Sequence, residues 1–384
     1  MTLREYIERQ IGERGPIPFS RYMDLCLYGA PGGDPAGFYS RVREQFGRAG
    51  DFYTSSDVHA VFGRLLARQF DEMWRALGSP PRIDLVELGP GRGLFAQDVL
   101  DWTAKKFPEF HRTLRATLVE ASAGLRARLD ERFTAQIAAG KMRVVEAIEQ
   151  AKIAGEFIVF ANEFFDALPV EVIADRGALR IGSENGRFIE SFAPPSTAEM
   201  EYLDRYSVHP EAGGRVEAAL VALDHLRRVA RAPAARARGF CLLVDYGYTR
   251  QEQLAGRHRD TVMAFRQHTI SQTPYEAPGE QDITAHVNFT ALMGVGKQVD
   301  LETLALVTQS QLLMGIGEEN QFADAFEDCR LPQERAKVAL QLKHLATPVG
   351  MGDTFQALVL GRGISKEQAS GLSGLRFARA VPGS

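Results

Sequence analysis

Cysteine is scarce in this sequence, and this scarcity excludes several classes of protein. The 384 residues include 3 cysteines, widely spaced and without a CxxC pair, which excludes a disulfide framework and a thiolate zinc site. The chain also lacks an apolar run approaching the roughly 18 residues that a membrane helix needs. It contains no HExxH segment and no carboxylate–histidine cluster that would indicate a metal. We therefore expect a cytoplasmic protein that needs no metal ion.

Acidic and basic side chains are nearly balanced, so the net charge does not indicate a polyanionic or polycationic partner. The 45 basic and 49 acidic side chains give a formal net charge of −4 at pH 7, which argues against bulk electrostatic capture of nucleic acid. The N-terminal segment MTLREYIERQIGERG lacks the apolar stretch of a signal peptide. Thr2 and Glu5 within it have the spacing of a capping box, which predicts a helix. We expect neither binding of nucleic acid nor insertion into a membrane.

Strand-like and helix-like segments alternate along much of the chain. IDLVEL, LRATLVE and MRVVEA are typical of strands, EFIVFANEFF is typical of a buried strand, and helices are predicted at 94–107 and 125–139. Such alternation predicts right-handed βαβ units and a parallel sheet. The strand pattern resumes at GFCLLVDYGY and closes at TFQALVLGRG. The predicted fold class is α/β, with a Rossmann-like, mostly parallel sheet and flanking helices.

Other segments interrupt this alternation. We expect an N-terminal helical lid segment at residues 1–80 and the first part of the α/β domain at 81–169. An insertion is expected at 170–238, the remainder of the α/β domain with a helical insertion at 239–363, and a tail at 364–384. In the insertion, Asn185-Gly186 is a strong hairpin signal between short antiparallel strands, and a helix is predicted at 215–230. The insertion is expected to be an α+β lobe that contacts the substrate.

The segment DLVELGPGRGLF places a glycine turn between a predicted strand and a predicted helix, with its glycines at Gly89, Gly91 and Gly93. A Walker loop needs Gly-Lys-Ser/Thr at its end, whereas Leu94 follows the last glycine. The dinucleotide motif needs its third glycine at the position of Leu94, and Glu87 would face a diphosphate poorly. S-Adenosylmethionine carries an ammonium and a sulfonium in place of phosphates. The three glycines would admit this cofactor, and Glu87 would receive its ammonium.

A second acid strengthens this interpretation. Glu120 ends the next predicted strand, 27 residues after Gly93 (120 − 93), close to the roughly 20 residues found for the ribose-binding acid of dinucleotide folds. The alternative is a plain strand–helix turn with an exposed Glu120, which the presence of both acids disfavours. The sequence thus predicts S-adenosyl-L-methionine as the cofactor and S-adenosyl-L-homocysteine as its product.

Eight segments in order resemble the MidA-like family of S-adenosylmethionine-dependent methyltransferases. They are FSRYMDLCLYG, GFYS, GRAGDFYTSSDV, VELGPGRG, ANEFFDALPVE, LVDYGY, PGEQDITAHVNF and TQSQLLMGIG. The resemblance implies a class I methyltransferase sheet. For the mitochondrial members, which are assembly factors of the NADH:ubiquinone oxidoreductase, it also implies symmetric dimethylation of an arginine ω-nitrogen on a core subunit. It further implies that an N-terminal lid covers the methyl donor with Gly50, Asp51, Phe52 and Thr54.

The resemblance also indicates where the methyl acceptor binds, because the loop after the fourth strand of such a sheet faces it. In this chain that loop begins at Asn162 and Glu163, and Asn162 is expected to bind the cofactor. A carboxylate at Glu163 that accepts two guanidinium N–H groups would orient the third nitrogen toward the methyl group, and Asp166 follows as a second acid. The alternative is that Asn162 and Glu163 only cap the next turn.

Two later segments add candidate residues. Asp245 ends another parallel strand beside Tyr246 and Tyr248, and an acid with aromatic rings suits a cationic guanidinium; the alternative is a turn residue. Asp282 is expected at the start of a helix, where capping alone would explain it. His286, one turn further on, is a candidate proton acceptor, although a lone histidine on a helix is more often structural.

Three functions fit these patterns. A protein-arginine methyltransferase is the leading interpretation. The alternatives are a binding or assembly module with little catalysis and a small-molecule methyltransferase. The complete glycine turn and Glu120 favour an enzyme, and the acidic loops favour a cationic protein partner with an accessible arginine. Arginine is preferred to lysine because lysine must first lose a proton, whereas arginine needs only a planar fork of acceptors.

Overall fold

The computed structural model describes residues 1–32, 34–40, 60–266, 269–271, 273–347 and 350–378. Its strands, in chain order, are β1 Ile17–Pro18, β2 Ile83–Leu88, β3 Leu114–Val119, β4 Met142–Val145, β5 Phe157–Asn162, β6 Glu171–Ala174, β7 Gly177–Glu184, β8 Arg187–Ala193, β9 Arg215–Ala218, β10 Gly239–Tyr248, β11 Met263–Arg266, β12 Thr269–Ser271, β13 Asp282–Thr284, β14 Val287–Asn288, β15 Glu302–Thr308 and β16 Phe355–Arg362. Its α-helices are α1 Leu3–Arg14, α2 Phe19–Tyr28, α3 Ala60–Ala76, α4 Leu94–Lys106, α5 Pro108–Thr113, α6 Ala123–Arg132, α7 Thr134–Ala138, α8 Thr197–Tyr206, α9 Leu220–Arg231, α10 Arg250–Leu254, α11 Phe289–Gln298, α12 Gln309–Glu318, α13 Ala323–Phe326, α14 Pro332–Ala346 and α15 Lys366–Ala369. Within these residues, the helices are too short or too polar to cross a membrane.

One compact unit, which we call the large-sheet unit, is formed by Tyr53–Glu163, Arg227–Tyr246 and Gly296–Ser384. In the described residues its sheet has the strand order β15-β16-β10-β5-β2-β3-β4. The strands from β10 to β4 are parallel, and β16 runs antiparallel to both of its neighbours. This arrangement confirms the predicted α/β class and the mostly parallel sheet.

Hydrophobic burial explains why this sheet forms. Every residue of β2 is buried, as expected for a strand covered on both faces. Helices α3 and α4 pack closely against each other, and aromatic side chains from both join the core. Phe95 of α4 stacks on Phe160 of β5 with ring centroids 4.3 Å apart, and Phe62 and Phe70 of α3 contact the same pair. Burial of each such ring contributes roughly 1.5–3 kcal/mol to the free energy of unfolding. This core therefore stabilises the turn and helix that follow β2.

A second compact unit, the small-sheet unit, is formed by Met1–Phe52, Phe164–Leu226 and Gly247–Val295. In its described part, one sheet has the order β1-β7-β6-β9 with β8 paired to β7, and another has the order β12-β11-β13. The predicted hairpin is confirmed, because β7 and β8 pair across Asn185 and Gly186, which both have positive φ. The predicted capping box also forms, with the Thr2 hydroxyl accepting the Glu5 N–H at the start of α1.

Two predicted helices were wrong in extent. The helix expected at 215–230 begins instead with strand β9, which pairs with β6, and only then continues as α9. Cross-strand pairing has overridden the weak local preference for helix in this segment. The single helix expected at 125–139 is divided into α6 and α7 at Phe133, whose side chain is fully buried in the core of the large-sheet unit.

Candidate active site

The glycine turn after β2 is built from backbone conformations that favour glycine. Gly89, Gly91 and Gly93 have φ angles of 63°, 52° and 73°, in the left-handed region where a side chain is strained. Gly93 is also the residue before α4. A Cβ atom on it would lie 2.7 Å from side-chain atoms of Leu129 and of Phe133. The turn therefore presents bare backbone at the N-terminus of α4, and its last glycine lets α4 lie close to α6.

Glu87 lies one residue before the end of β2 and is 7% exposed. Its Oε2 atom has no hydrogen-bond partner among the described residues. A small cavity beside it has otherwise apolar walls, formed by Leu85, Phe95, Ala96, Ala116, Leu118 and Phe160. Burial, and then the negative charge of Glu120, raise the pKa of Glu87 to about 8. Within the described residues, the Oε2 atom of this carboxyl group thus has no donor that would stabilise its charge.

Glu120 follows β3 and is also buried. Because Glu87 is paired with Leu118 in the β2–β3 register and side chains alternate along a strand, Glu87 and Glu120 lie on the same face of the sheet. The Glu120 carboxylate accepts the Ser122 N–H at 2.8 Å and the Gly91 N–H. Burial raises its pKa to about 7, although these hydrogen bonds act in the opposite direction.

These features fit a cofactor with a cationic amino-acid end and a ribose. The Glu87 oxygen that has no partner in the described part of the chain suits an ammonium group. Glu120, already held beside the turn by the Gly91 N–H, has the acceptor capacity to bind ribose hydroxyls. The glycines keep side chains out of the space above the turn. A diphosphate would meet two acids here, which would repel it.

Asn162 and Glu163 lie at the carboxyl end of β5, where the sequence predicted them. The Nδ2 atom of Asn162 donates to Oε1 of Glu163 at 3.1 Å. Glu163 has a φ of +49°, which is uncommon for a residue other than glycine. Its backbone N–H donates to the carbonyl of Val244 at 3.0 Å, so the backbone is anchored to β10 although β5 has ended.

Asp245 follows the last β5–β10 pair, Asn162 with Val244, and is therefore at the same edge of the sheet. It is buried, and its Oδ1 accepts the N–H of Tyr246 at 2.9 Å. Tyr248, which was expected beside Asp245 as an aromatic contact for the substrate, is instead buried in the core. Tyr248 is 1% exposed and its ring stacks on His258. The large-sheet unit thus brings the glycine turn, Glu120, Glu163 and Asp245 to the carboxyl ends of adjacent strands.

Asp166 and Asp282 belong to the small-sheet unit. The expectation that Asp282 begins a helix was wrong: it starts β13, which pairs with β11. The helix begins later, at Phe289, where Oδ1 of Asn288 accepts the Ala291 N–H as a cap does. Both aspartates are buried.

Tyr39, which was not among the predicted site residues, lies near both acids and donates a hydrogen bond to one of them. Its hydroxyl donates to Oδ1 of Asp282 at 2.8 Å. Burial, followed by the charges of Asp282 and Asp166, raises the pKa of Tyr39 well above its ordinary value. Its place in the segment GFYS was the available signal, but no spacing in the sequence related it to Asp282.

His286 is neither on a helix nor alone, contrary to expectation. It lies between β13 and β14, and its Nδ1 is 3.0 Å from Nδ1 of His258. Burial, and then the neighbouring His258, lower the pKa of His286 to about 4. His258 was missed because 28 residues separate the two rings in the sequence.

The lid residues proposed from the resemblance, Gly50, Asp51, Phe52 and Thr54, lie outside the described residues. Over the ranges that the structure does describe, no group of three or more histidine, cysteine or acidic side chains could hold a metal ion.

The strand order, the antiparallel β16 and the glycine turn after β2 define a class I methyltransferase fold. A family described as S-adenosyl-L-methionine-dependent methyltransferases matches residues 65–307. This match spans more than half of the sequence, so the chain belongs to that family, and its cofactor is S-adenosyl-L-methionine.

Relatives with known names and structures agree with this assignment. The protein arginine methyltransferase NDUFAF7 homolog, mitochondrial, of Drosophila melanogaster is 29% identical, with 94% of this chain and 85% of the relative covered. The human protein arginine methyltransferase NDUFAF7, mitochondrial, is 27% identical, with 91% and 81% covered. A crystal structure of a COG1565 superfamily member from Burkholderia thailandensis, bound to S-adenosyl-homocysteine, is 28% identical with a TM-score of 0.82, covering 98% of this chain and 95% of that one.

Proposed function

We propose that this methyltransferase acts on an ω-nitrogen of arginine in a protein. The observation that carries the proposal is the position of Glu163. Its carboxylate is held by Asn162 at the carboxyl end of β5, in the same unit as the glycine turn. The names of the relatives, protein arginine methyltransferases at 27–29% identity, support the same acceptor.

The chemistry of arginine explains why a held carboxylate is useful. S-Adenosyl-L-methionine supplies a methyl group on a cationic sulfur, open to direct displacement by a nucleophile. A guanidinium is a poor nucleophile because its charge is delocalised and it stays protonated at neutral pH. Glu163 would accept two of its N–H groups, which orients the third nitrogen and draws positive charge away from it. The nitrogen that gains a methyl group releases one proton to solvent or to a nearby base.

The acceptor is expected to belong to a protein, in line with the relatives' names. We further propose, from the family resemblance, that a subunit of a respiratory NADH:quinone oxidoreductase is the target. The scarcity of cysteine supports the further proposal that methylation takes place in the cytoplasm. A lysine acceptor is less compatible, since it would first have to lose a proton to a base.

The test is to incubate the protein with labelled S-adenosylmethionine and a lysate from a strain that lacks it, and to map the labelled peptides. Glu163→Gln should bind S-adenosyl-homocysteine within a few-fold of the wild type but transfer methyl groups roughly 10²-fold more slowly, which corresponds to about 2.7 kcal/mol of transition-state stabilisation. Glu131→Gln is the matched control, because Glu131 is exposed on α6 of the same unit.

The outcomes separate the alternatives. Label on arginine, lost in Glu163→Gln and kept in Glu131→Gln, supports the proposal. Label confined to lysine, glutamine or small molecules would overturn the arginine assignment. Binding of the cofactor with no transfer to any acceptor would favour an assembly module.

A further inference from the structure

The side chain of Asn162 has a determined orientation. Its Nδ2 donates to Oε1 of Glu163 at 3.1 Å. If the amide were turned over, two acceptor oxygens would face each other at that distance, which is unfavourable. The carboxylate therefore fixes which end of the amide is which, and Oδ1 must point away from Glu163.

Oδ1 of Asn162 is buried and has no hydrogen-bond partner among the described residues. A buried amide oxygen without a donor is unfavourable, and such atoms are rare in folded proteins. An acceptor left in this state at the carboxyl edge of a parallel sheet, where ligands bind in folds of this kind, is typical of a group that meets its donor on a ligand.

The backbone supports the same conclusion. Glu163 is held at φ +49°, a strained conformation for a residue with a side chain, and such strain concentrates at functional sites. The hydrogen bond from its N–H to Val244 keeps it there. Asn162 and Glu163 thus present two hydrogen-bond acceptors, an amide oxygen and a carboxylate, on adjacent residues whose backbone is hydrogen-bonded to β10.

We propose that Asn162 is both a positioning residue and a direct ligand for the methyl acceptor. Its Nδ2 orients the Glu163 carboxylate, and its Oδ1 accepts an N–H from the same guanidinium that Glu163 binds. This inference rests on the proposed function. A guanidinium suits the pair because it has five N–H donors and no acceptor. The α-ammonium of the cofactor is an alternative N–H donor for this oxygen, and the affinity of the variants for S-adenosyl-homocysteine distinguishes it from the guanidinium.

Two substitutions divide the two roles. Asn162→Ala removes both the donor and the acceptor. Asn162→Asp keeps the shape and an acceptor oxygen but loses the donor to Glu163 and places two carboxylates side by side. The measurements are KM and kcat for the arginine peptide found in the labelling experiment, at saturating cofactor, and the Kd for S-adenosyl-homocysteine by calorimetry.

For Asn162→Ala we expect a Kd for S-adenosyl-homocysteine within about 3-fold of the wild type and a 10- to 100-fold lower kcat/KM, with both KM and kcat affected. For Asn162→Asp we expect KM within about 3-fold and a kcat at least 10-fold lower, because the acceptor oxygen remains while Glu163 is displaced. A purely structural role would lower the melting temperature of both variants without this division between KM and kcat. The nearly isosteric Asn162→Asp keeps the test available if Asn162→Ala does not fold.

Two results would overturn the inference. If Asn162→Ala weakens S-adenosyl-homocysteine binding 10-fold or more while kcat at saturating cofactor is unchanged, the oxygen binds the cofactor ammonium. If neither KM nor kcat changes in either variant, Oδ1 binds no ligand. Failure of the proposed function would look different: the wild type itself would label another kind of acceptor, and the same variants would then be compared on that acceptor.

Discussion

Glu87→Gln should weaken cofactor binding and, at the same time, stabilise the cofactor-free protein at alkaline pH. Both effects follow from a carboxyl group in largely apolar surroundings with one oxygen that lacks a partner among the described residues. Glutamine has nearly the same shape but carries no charge. It therefore removes the cost of burying a carboxylate together with the attraction for an ammonium group.

The magnitude follows from the pKa. Burial and Glu120 raise the pKa of Glu87 from 4.5 to about 8. The folded chain therefore keeps a proton that the unfolded chain releases, so the stabilisation is fully present below pH 4.5 and is lost as the pH rises through 8. The difference sets an upper limit of about 5 kcal/mol. Because Glu120 titrates in the same range, we expect about 2 kcal/mol to be observed.

Urea unfolding without cofactor, at pH 6 and pH 8.5, measures the first effect. The wild type should lose about 2 kcal/mol relative to Glu87→Gln between these pH values. Calorimetry with S-adenosyl-homocysteine measures the second effect. The variant should bind 10- to 100-fold more weakly, which is about 1.4–2.7 kcal/mol. Glu131→Gln, exposed on α6, should change neither quantity.

Each half of the reasoning can be refuted separately. If Glu87→Gln is less stable than the wild type at pH 8.5, the carboxylate already has a favourable partner in the cofactor-free protein. If the variant binds S-adenosyl-homocysteine as the wild type does, Glu87 does not receive the ammonium group.

Three further predictions concern other parts of the molecule. Gly91→Val should abolish S-adenosyl-homocysteine binding, because φ is +52° there and a branched side chain is strongly disfavoured in that region; normal binding in calorimetry would show that the turn is not the cofactor site. Glu163→Gly should be more stable to urea than Glu163→Ala by about 1 kcal/mol, because glycine relieves the positive φ, while neither variant transfers methyl groups efficiently; equal stability would argue against backbone strain. Between pH 7 and pH 5 the wild type should lose about 2 kcal/mol more than His286→Gln, because the lowered pKa of His286 lets the unfolded chain bind a proton that the folded chain does not; parallel pH profiles of the two proteins would contradict this.

The sequence alone determined the features that depend on local chemistry. The buried strands, the alternation with helices and the hairpin at Asn185 follow from hydrophobic patterns and turn residues a few positions apart. The cofactor could be inferred because the spacing of Glu87, the three glycines and Glu120 distinguishes an ammonium from a phosphate. These signals are short in range, so a single sequence contains them in full.

Tertiary structure decided whatever depends on partners distant in the chain. Residues 215–218 form a strand because β6 pairs with them. Asp282 starts a strand because β11 pairs with residues 282–284. The proximity of His258 to His286 and the contact of Tyr39 with Asp282 have no local pattern. The raised pKa of Glu87 arises from burial, and the orientation of the Asn162 amide arises from the position that β5 and β10 impose on Glu163. Long-range pairing and burial set these properties, and neither can be read from neighbouring residues.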